Sequence, residues 1–298
     1  MSTVATTLRL GTRGSRLAMA QAREAASALA HVLGPGSVEL VEIRTRGDAI
    51  SERRPAGHLV VGDGQFTGEL EVALLEGTID VAVHSLKDLP TAPNSALRLG
   101  AILERGDPRD CLLSRHTGGL DGLPFGARIG TSSVRRAAQL AAARADVVAR
   151  PIRGNVDTRL QRLEAGEYDA LLLAAAGLDR LGIPVSDDDR LPLDLMLPAP
   201  GQGALALQVR AGDVPVVASL DHEPTRVAVQ VERALLRALG GGCLAPLGAL
   251  AEAVHGQLRL RAAYEGRLGF TRVDLSGPAG RPAEVVAEAA ARIREATA

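Results

Sequence analysis

The heptapeptide HSLKDLP, residues 84–90, places a lysine beside an aspartate where a predicted strand gives way to a proline turn. Lys87 is the only lysine of the chain, since the remainder of its 34 basic residues are arginines. An ammonium is a compact charge on a flexible stem, whereas a guanidinium is a planar fork. The position of Lys87 beside Asp88 therefore suggests a site that needs an adjustable cation next to a carboxylate. A preference for arginine codons explains why lysine is scarce but does not explain this location.

Positive charge is concentrated in one stretch of an otherwise near-neutral chain. Residues 128–162 contain eight arginines and two aspartates, which leaves a net charge of +6, whereas the whole chain carries −1. Two predicted helices begin in this stretch, each after a predicted strand. Free N–H groups and the helix dipole make such helix starts attractive to anions, and arginine adds a fork that matches carboxylate or phosphate.

The two helix starts together predict an anion-binding crevice, because the carboxyl ends of parallel strands share one edge of a sheet. Asn155 is the predicted cap of the second helix, and Arg144 and Arg162 are interpreted as solvated helix surface. The residues assigned to the crevice are Ser133, Arg135, Arg136, Arg153 and Arg159.

A similar pattern occurs near the N-terminus, in GTRGSRLAMAQ, where Arg13 precedes Ser15 at a predicted helix start. The glycines do not form GxGxxG and no Walker lysine is present, so nucleotide binding is poorly supported. We therefore expect the ligand to carry carboxylates, several at once.

Alternating strand and helix patterns predict an α/β protein with two lobes of similar build and a small C-terminal α+β domain. The βαβαβ order of the first lobe predicts a parallel sheet covered by helices. The expected boundaries are 1–103 with 199–219 for the first lobe, 104–198 for the second, and 220–298 for the C-terminal domain.

Composition narrows the class of function. Aromatic residues make up 2% of the chain and tryptophan is absent, which disfavours base stacking on single-stranded nucleic acid. No apolar run approaches the length of a membrane span, and the N-terminus lacks the pattern of a secretory signal. The cysteines, Cys111 and Cys243, lie far apart and are expected to be reduced thiols. We expect a cytoplasmic monomer that binds a small molecule, without a nucleic acid, membrane or metal partner.

Nine blocks, in order along the chain, give it a specific resemblance. With Gln21 between the first two, they are TRGS (12–15), TRGD (45–48), HSLKDLP (84–90), GDPRD (106–110), IGTSSVRR (129–136), RGNVDTRL (153–160), LDRLG (178–182), APGQGALALQ (199–208) and GGGCLAPLG (240–248). Together they resemble the hydroxymethylbilane synthase family, also called porphobilinogen deaminases. The resemblance spans nearly the whole chain, and the ordered set is far more specific than any one block.

The resemblance implies a fold and a reaction. Two lobes would be like those of type II periplasmic binding proteins, with the site between them. Four porphobilinogen molecules would condense head to tail with loss of ammonia, on a dipyrromethane cofactor that the enzyme makes from its own substrate. A thioether to Cys243, in a glycine-rich turn, would hold that cofactor.

The resemblance also implies residue roles. Asp88 would be the catalytic carboxylate that stabilises the cation left when ammonia departs. For Lys87 we add a hypothesis of our own, that its ammonium keeps Asp88 ionised and contacts a substrate carboxylate. The implied substrate and cofactor contacts are Arg13, Ser15, Gln21, Ser133, Arg135, Arg136, Arg153, Arg159 and Arg180.

Four other residues receive a different interpretation. Asp63 stands where the family commonly has lysine and is not assigned to the site. Phe66 fits a cofactor contact and a core role equally well. His84 is interpreted as a packed strand residue and Cys111 as a small core residue.

Two alternatives remain open from the residues alone. A solute receptor would share the two lobes and the anion crevice, but it would not need a cysteine in a glycine turn and would normally carry an export signal. A phosphate or nucleic-acid binder would use the arginines, but it fits poorly with scarce aromatics and a near-neutral charge. The intact mass of the protein separates these alternatives from a cofactor-bearing enzyme.

Overall fold

The computed structural model describes residues 7–44, 67–92, 94–242 and 245–297. Its helices and strands follow in chain order as β1 (Leu8–Arg13), α1 (Arg16–Leu33), β2 (Val38–Ile43), α2 (Gly68–Leu75), β3 (Val81–Ser85), β4 (Leu97–Ile102), β5 (Asp110–Ser114), β6 (Arg128–Gly130), α3 (Val134–Ala143), β7 (Val148–Arg150), α4 (Val156–Glu164), β8 (Ala170–Ala174), α5 (Ala175–Arg180), β9 (Leu205–Arg210), α6 (Glu223–Ala238), β10 (Leu247–Val254), β11 (Gln257–Gly266), β12 (Gly269–Pro278) and α7 (Pro282–Thr297).

The first compact unit comprises Met1–Arg105 and Ala204–Thr225 and contains a five-stranded sheet. Its strand order is β2-β1-β3-β9-β4, with β1 parallel to β2 and β3, and β9 antiparallel to β3 and β4. Buried aliphatic side chains on β1, β3 and β9 form a core with the buried face of α1. The sheet therefore sets the positions at which β1 and β3 end.

The second compact unit comprises Gly106–Gly203 and Arg226–Ala298 and contains two sheets. The four-stranded sheet has the order β5-β8-β6-β7, in which β6 is parallel to β7 and β8 while β5 is antiparallel to β8. The three-stranded sheet β10-β11-β12 is antiparallel throughout. Helices α6 and α7 contribute to one apolar core with this second sheet.

The predicted fold class, two α/β lobes with a small α+β domain, is confirmed by these sheets. The parallel sheet predicted from the βαβαβ order is confirmed for β1, β2 and β3, but the same sheet also contains β9, which runs antiparallel between β3 and β4. A strand buried on both faces reads as an apolar run in either direction, so its sequence cannot reveal which way it runs. In the C-terminal α+β domain, β11 and β12 form a hairpin that also pairs with β10, a strand that the sequence analysis missed. The predicted domain boundaries stay a prediction.

His84 is a packed strand residue, as expected, and 5% exposed. Its Nε2 lies 3.0 Å from Gln208 Oε1, and Gln208 Nε2 donates to Glu71 Oε1 at 2.9 Å. Because the amide nitrogen of Gln208 faces Glu71, its oxygen faces the imidazole, which therefore donates from Nε2. Burial lowers the pKa of His84 to about 4 from its usual 6.5, against a smaller opposing effect of the bond to Gln208.

This pKa predicts a pH-dependent part of the stability. Between pH 6.5 and about 4 the unfolded chain binds a proton at His84 that the folded chain does not. The free energy of unfolding should therefore decrease as the pH is lowered from 6.5 to about 4, by about 3 kcal/mol at most. Urea unfolding at several pH values should show a shallower fall for His84→Asn, whereas substitution of the exposed His116 should leave the wild-type slope. Equal slopes for wild type and His84→Asn would contradict the assignment.

Candidate functional site

Three predicted site residues follow two strands that end at the same edge of the first unit's sheet, and a fourth is the last residue of one of these strands. Strand β1 ends at Arg13 and β3 ends at Ser85, and the two strands are parallel. Ser15 and the Lys87–Asp88 pair therefore come just past one edge. The side chain of Lys87 is half-buried and that of Asp88 is exposed.

A short 3₁₀ turn, Leu86–Asp88, carries the lysine and the aspartate. Leu86 and Leu89 are 0% and 4% exposed, so two buried side chains flank the pair. The backbone N–H of Leu86 donates to Ala204 O at 3.0 Å and that of Leu89 donates to Leu86 O at 3.2 Å. Buried side chains and backbone hydrogen bonds thus anchor the turn, and the carboxylate of Asp88 is exposed on a fixed backbone.

Ser15 and Gln21 organise the start of α1. The hydroxyl of Ser15 accepts from the backbone N–H of Ala18 at 3.2 Å, which makes Ser15 the N-cap of the helix. Gln21 is 7% exposed, and its Nε2 donates to Ser85 Oγ at 2.8 Å. Gln21 therefore ties α1 to the residue immediately before the turn that carries Asp88.

Three parallel strands of the second unit, β6, β7 and β8, end at one edge and lead into three helices. Ser133 is the N-cap of α3, and its hydroxyl accepts from the N–H of Arg136 at 3.4 Å. The hydroxyl of Ser132 donates to Ile152 O at 2.7 Å and accepts from Ile152 N at 3.0 Å. This double contact joins the loop after β6 to the loop after β7. Asn155 occupies the N-cap position of α4 but makes no capping bond through its side chain, contrary to expectation.

Arg153 and Arg159 flank the start of α4, and both are half-buried. Arg159 Nε donates to Gly154 O at 2.8 Å, from a glycine held at φ +103°, a conformation that other residues rarely adopt. Within the described ranges, Arg159 has no carboxylate partner. Burial, and then repulsion from Arg136, lowers the pKa of Arg159 to about 10. A guanidinium in this state would gain from an anion placed against it.

Arg135 and Arg136 take a position that the sequence analysis did not foresee. They are 4% and 7% exposed, and both guanidiniums bind the carboxylate of Asp110, which is 0% exposed. Arg135 Nη1 lies 2.8 Å from Asp110 Oδ2, and Arg136 Nη2 lies 2.6 Å from Asp110 Oδ1. Against the cost of burial, the two guanidiniums hold the pKa of Asp110 well below its usual range. The role of Arg135 and Arg136 as ligand contacts stays a prediction.

Two further buried groups brace the APGQG segment. Gln202 is 1% exposed, and its Nε2 donates to Pro108 O at 2.7 Å and to Asp110 Oδ1 at 2.9 Å. Glu232 on α6 is 0% exposed and accepts from the backbone N–H groups of Gly201 at 2.7 Å and Ala251 at 3.0 Å. Glu232 thus ties the helix that precedes the glycine-rich turn to β10 and to the APGQG segment.

Asp110, Gln202 and Glu232 were not assigned by the sequence analysis, although the first two lie inside blocks that it quoted. The sequence did contain a clue to Asp110, because an acidic residue at the start of an apolar strand needs a cationic partner when it is buried. The partner could not be identified, because Arg135 is 25 residues away in sequence.

Other expectations have direct outcomes. Cys111 is fully buried, and burial raises the pKa of its thiol to about 12, as a core residue requires. Arg162 lies 4.0 Å from Glu167. Arg144 was expected to be solvated helix surface, but it is half-buried, binds Asp146 at 2.7 Å and donates to Leu120 O and Leu123 O in the loop before β6. Arg180 is half-buried, and its Nη2 donates to Gly203 O at 3.1 Å.

Cys243, Asp63 and Phe66 lie outside the described residues. None of the described helices is long and apolar enough to cross a membrane.

Comparisons with known proteins agree over nearly the whole chain. The family model described as "Porphobilinogen deaminase, dipyromethane cofactor binding domain" matches residues 8–218. A second, "Porphobilinogen deaminase, C-terminal domain", matches residues 227–294.

Two curated relatives and one solved structure illustrate the similarity. Porphobilinogen deaminase from Desulforudis audaxviator is 48% identical over 292 residues, which cover 96% of this chain and 94% of that protein. Porphobilinogen deaminase 1 from Streptomyces coelicolor is 50% identical over 283 residues, or 90% of this chain and 87% of that protein. The crystal structure of the methionine-binding protein MetQ matches with a TM-score of 0.42 and 13% identity, over 72% of this chain and 90% of that chain.

Proposed function

The chain belongs to the porphobilinogen deaminase family, and from this membership we propose how its residues share the work of the family's reaction. The activity is that of a hydroxymethylbilane synthase, a transferase of tetrapyrrole biosynthesis. It joins four porphobilinogen molecules head to tail, with loss of ammonia at each addition, and releases the linear product by hydrolysis. This conclusion rests on the matches of both family models. The chain is also 48–50% identical to the two porphobilinogen deaminases described above.

The cofactor of this family is a dipyrromethane, which supplies the pyrrole end onto which new rings are added. The donor set of the second unit fits such a group. Arg159 is a half-buried cation without a carboxylate partner among the described residues, in the first turn of α4. Pyrroles that carry carboxylates would supply the missing negative charge. The residues that we assign to hold substrate and cofactor carboxylates are Arg13, Ser15, Gln21, Ser133, Arg135, Arg136, Arg153, Arg159 and Arg180.

Asp88 is proposed as the catalytic carboxylate. Loss of ammonia leaves positive charge on the incoming ring, and a fixed carboxylate beside the pyrrole N–H groups stabilises that charge. The buried anchors Leu86 and Leu89 support this role, because they hold the backbone of Asp88 in place before the substrate arrives. The exposed carboxylate can also accept and return a proton during deamination.

Lys87 is proposed to act beside Asp88 in two ways. Its ammonium places a positive charge next to Asp88 in the sequence, and it can contact a substrate carboxylate. A lysine suits a position that must follow a moving partner, because its charge is compact and its stem is flexible. We further propose that the protein is a cytoplasmic monomer, which gel filtration can test.

Replacement of Asp88 by alanine should lower kcat at least 10²- to 10³-fold, about the cost of losing one preorganised electrostatic partner. Asp88→Glu should keep part of the activity, because the charge is retained. The side chain is exposed, so the thermal midpoint of Asp88→Ala should stay near the wild-type value. Asp188→Ala, at another exposed carboxylate in a 3₁₀ turn, serves as the control and should be fully active. Wild-type turnover by Asp88→Ala would remove Asp88 from the mechanism.

Replacement of Lys87 by arginine tests whether the compact cation matters. We expect Lys87→Arg to raise KM for porphobilinogen and to lower kcat, because the planar fork has fixed directions. Steady-state kinetics of this variant against Lys87→Met would separate the loss of charge from the change of shape. Equal kcat and KM for wild type and Lys87→Arg would show that any cation suffices here.

The covalent cofactor predicts a mass. The purified protein should be heavier than its sequence by one dipyrromethane unit under denaturing conditions, and it should react with Ehrlich's reagent, which colours pyrroles. Cys243→Ser should lack the added mass. Cys111→Ala should retain it, because that thiol is buried and has a raised pKa. An unmodified wild-type mass after purification and incubation with porphobilinogen would contradict the proposed attachment.

A further inference from the structure

The GDPRD block, residues 106–110, holds a carboxylate that the proposed mechanism does not use. Asp110 is the first residue of β5 and is 0% exposed. Because β5 is antiparallel to β8, with Asp110 opposite Ala174, the start of β5 lies where β8 ends. A buried negative charge therefore stands at the edge of the sheet from which the arginine-bearing helices begin.

Three side chains converge on this carboxylate. One oxygen accepts from Arg135 Nη1 at 2.8 Å, and the other accepts from Arg136 Nη2 at 2.6 Å and from Gln202 Nε2 at 2.9 Å. The remaining bonds point each guanidinium in one direction, since Arg135 also donates to Leu197 O and Arg136 to Leu172 O at 2.9 Å. The arrangement leaves both arginine side chains little freedom to turn.

The charges in this cluster do not cancel. Two guanidiniums share one carboxylate, which leaves one positive charge in excess inside the protein. Arg136 repels Arg159, a guanidinium without a carboxylate partner in the described part of the chain. The positive charge felt at Arg159 therefore depends on how far Asp110 offsets its two partners.

We propose that Asp110 is a positioning residue that limits the positive charge of the second unit's anion site by holding Arg135 and Arg136 on one shared carboxylate. This inference rests on the proposed function. Each porphobilinogen carries two carboxylates, so the enzyme-bound oligopyrrole gains two carboxylates at each addition. Such a chain must be retained, yet it must also shift as it grows and finally leave. An interaction that holds every intermediate equally tightly favours binding without speeding turnover, so an upper limit on the charge is as necessary as the charge itself.

The test compares Asp110→Asn with Asp107→Asn as holoenzymes. Asp107 lies in the same block and binds Arg109 and Arg190, so its substitution also breaks an ion pair but does so outside the cluster. Each protein receives limiting porphobilinogen, and denaturing mass spectrometry counts the pyrroles on the chain. Asp110→Asn should carry more of the longest intermediates by on the order of three- to tenfold, the effect of one added unit charge at close range. Asp107→Asn should match the wild type.

Two further measurements separate charge from packing. Asp110→Glu keeps the charge in a larger side chain, and the distribution of its intermediates should match the wild type even where its thermal midpoint falls. Salt at about 0.5 M should move Asp110→Asn toward the wild-type distribution, because it screens the added charge. A wild-type distribution for Asp110→Asn at every salt concentration would overturn the proposal, and so would an equal shift for Asp110→Asn and Asp110→Glu.

Removal of a buried counter-ion is strongly destabilising, so Asp110→Asn can fail to fold. The double variant Asp110→Asn/Arg159→Gln restores the total charge of the cluster and its neighbour. Under the proposal it folds better than Asp110→Asn and holds intermediates less tightly than that variant. If neither variant folds, or if the two substitutions are additive in urea unfolding and in the distribution of intermediates, the charge balance is not the role of Asp110. A wild-type enzyme that adds no pyrroles would instead refute the proposed function.

Discussion

A ligand that gains two carboxylates with every addition must be held by positive charge that the protein has not already neutralised. Several arginines in the described part of the chain are already paired, because they bind acids of their own. Arg9 binds Asp80, Arg128 binds Asp169 and Arg259 binds Asp274. Arg159 differs, since it stands at a helix start without a carboxylate partner in the described ranges, and its lowered pKa records the cost. Under the proposed function, a carboxylate of the bound ligand would offset that cost.

The parallel strands of each unit bring chemistry-bearing residues to one edge of a sheet. In the first unit, β1 and β3 deliver Ser15 and Asp88 to the same edge, and Gln21 ties the two segments together through Ser85. In the second, the hydroxyl of Ser132 joins the loop after β6 to the loop after β7. Gln21 is buried and Ser132, although exposed, makes two hydrogen bonds to one residue, so these links hold the segments of each unit in place without a ligand.

Two buried carboxylates hold neighbouring groups in fixed positions. Asp110 holds two guanidiniums, and Glu232 holds two backbone N–H groups from separate segments. A buried ion pair is weak evidence for stability, because desolvation offsets much of its attraction. These carboxylates instead orient the groups that bind them, namely two guanidiniums at Asp110 and two backbone N–H groups at Glu232. At the turn of Asp88 the buried side chains of Leu86 and Leu89 and their backbone hydrogen bonds anchor the backbone, while the carboxylate stays exposed.

The sequence by itself determined the family, the fold class, the caps at Ser15 and Ser133 and the burial of His84 and Cys111, because these follow from local patterns and ordered blocks. It did not determine the direction of β9 or the existence of β10, since an apolar strand reads alike in either direction and pairing partners are distant. It also could not separate Arg135 and Arg136 from Arg159, because all three follow helix starts in one basic stretch. Only the tertiary structure decided that Asp110, remote in sequence, binds the first two guanidiniums, whereas Arg159 has no carboxylate partner among the described residues.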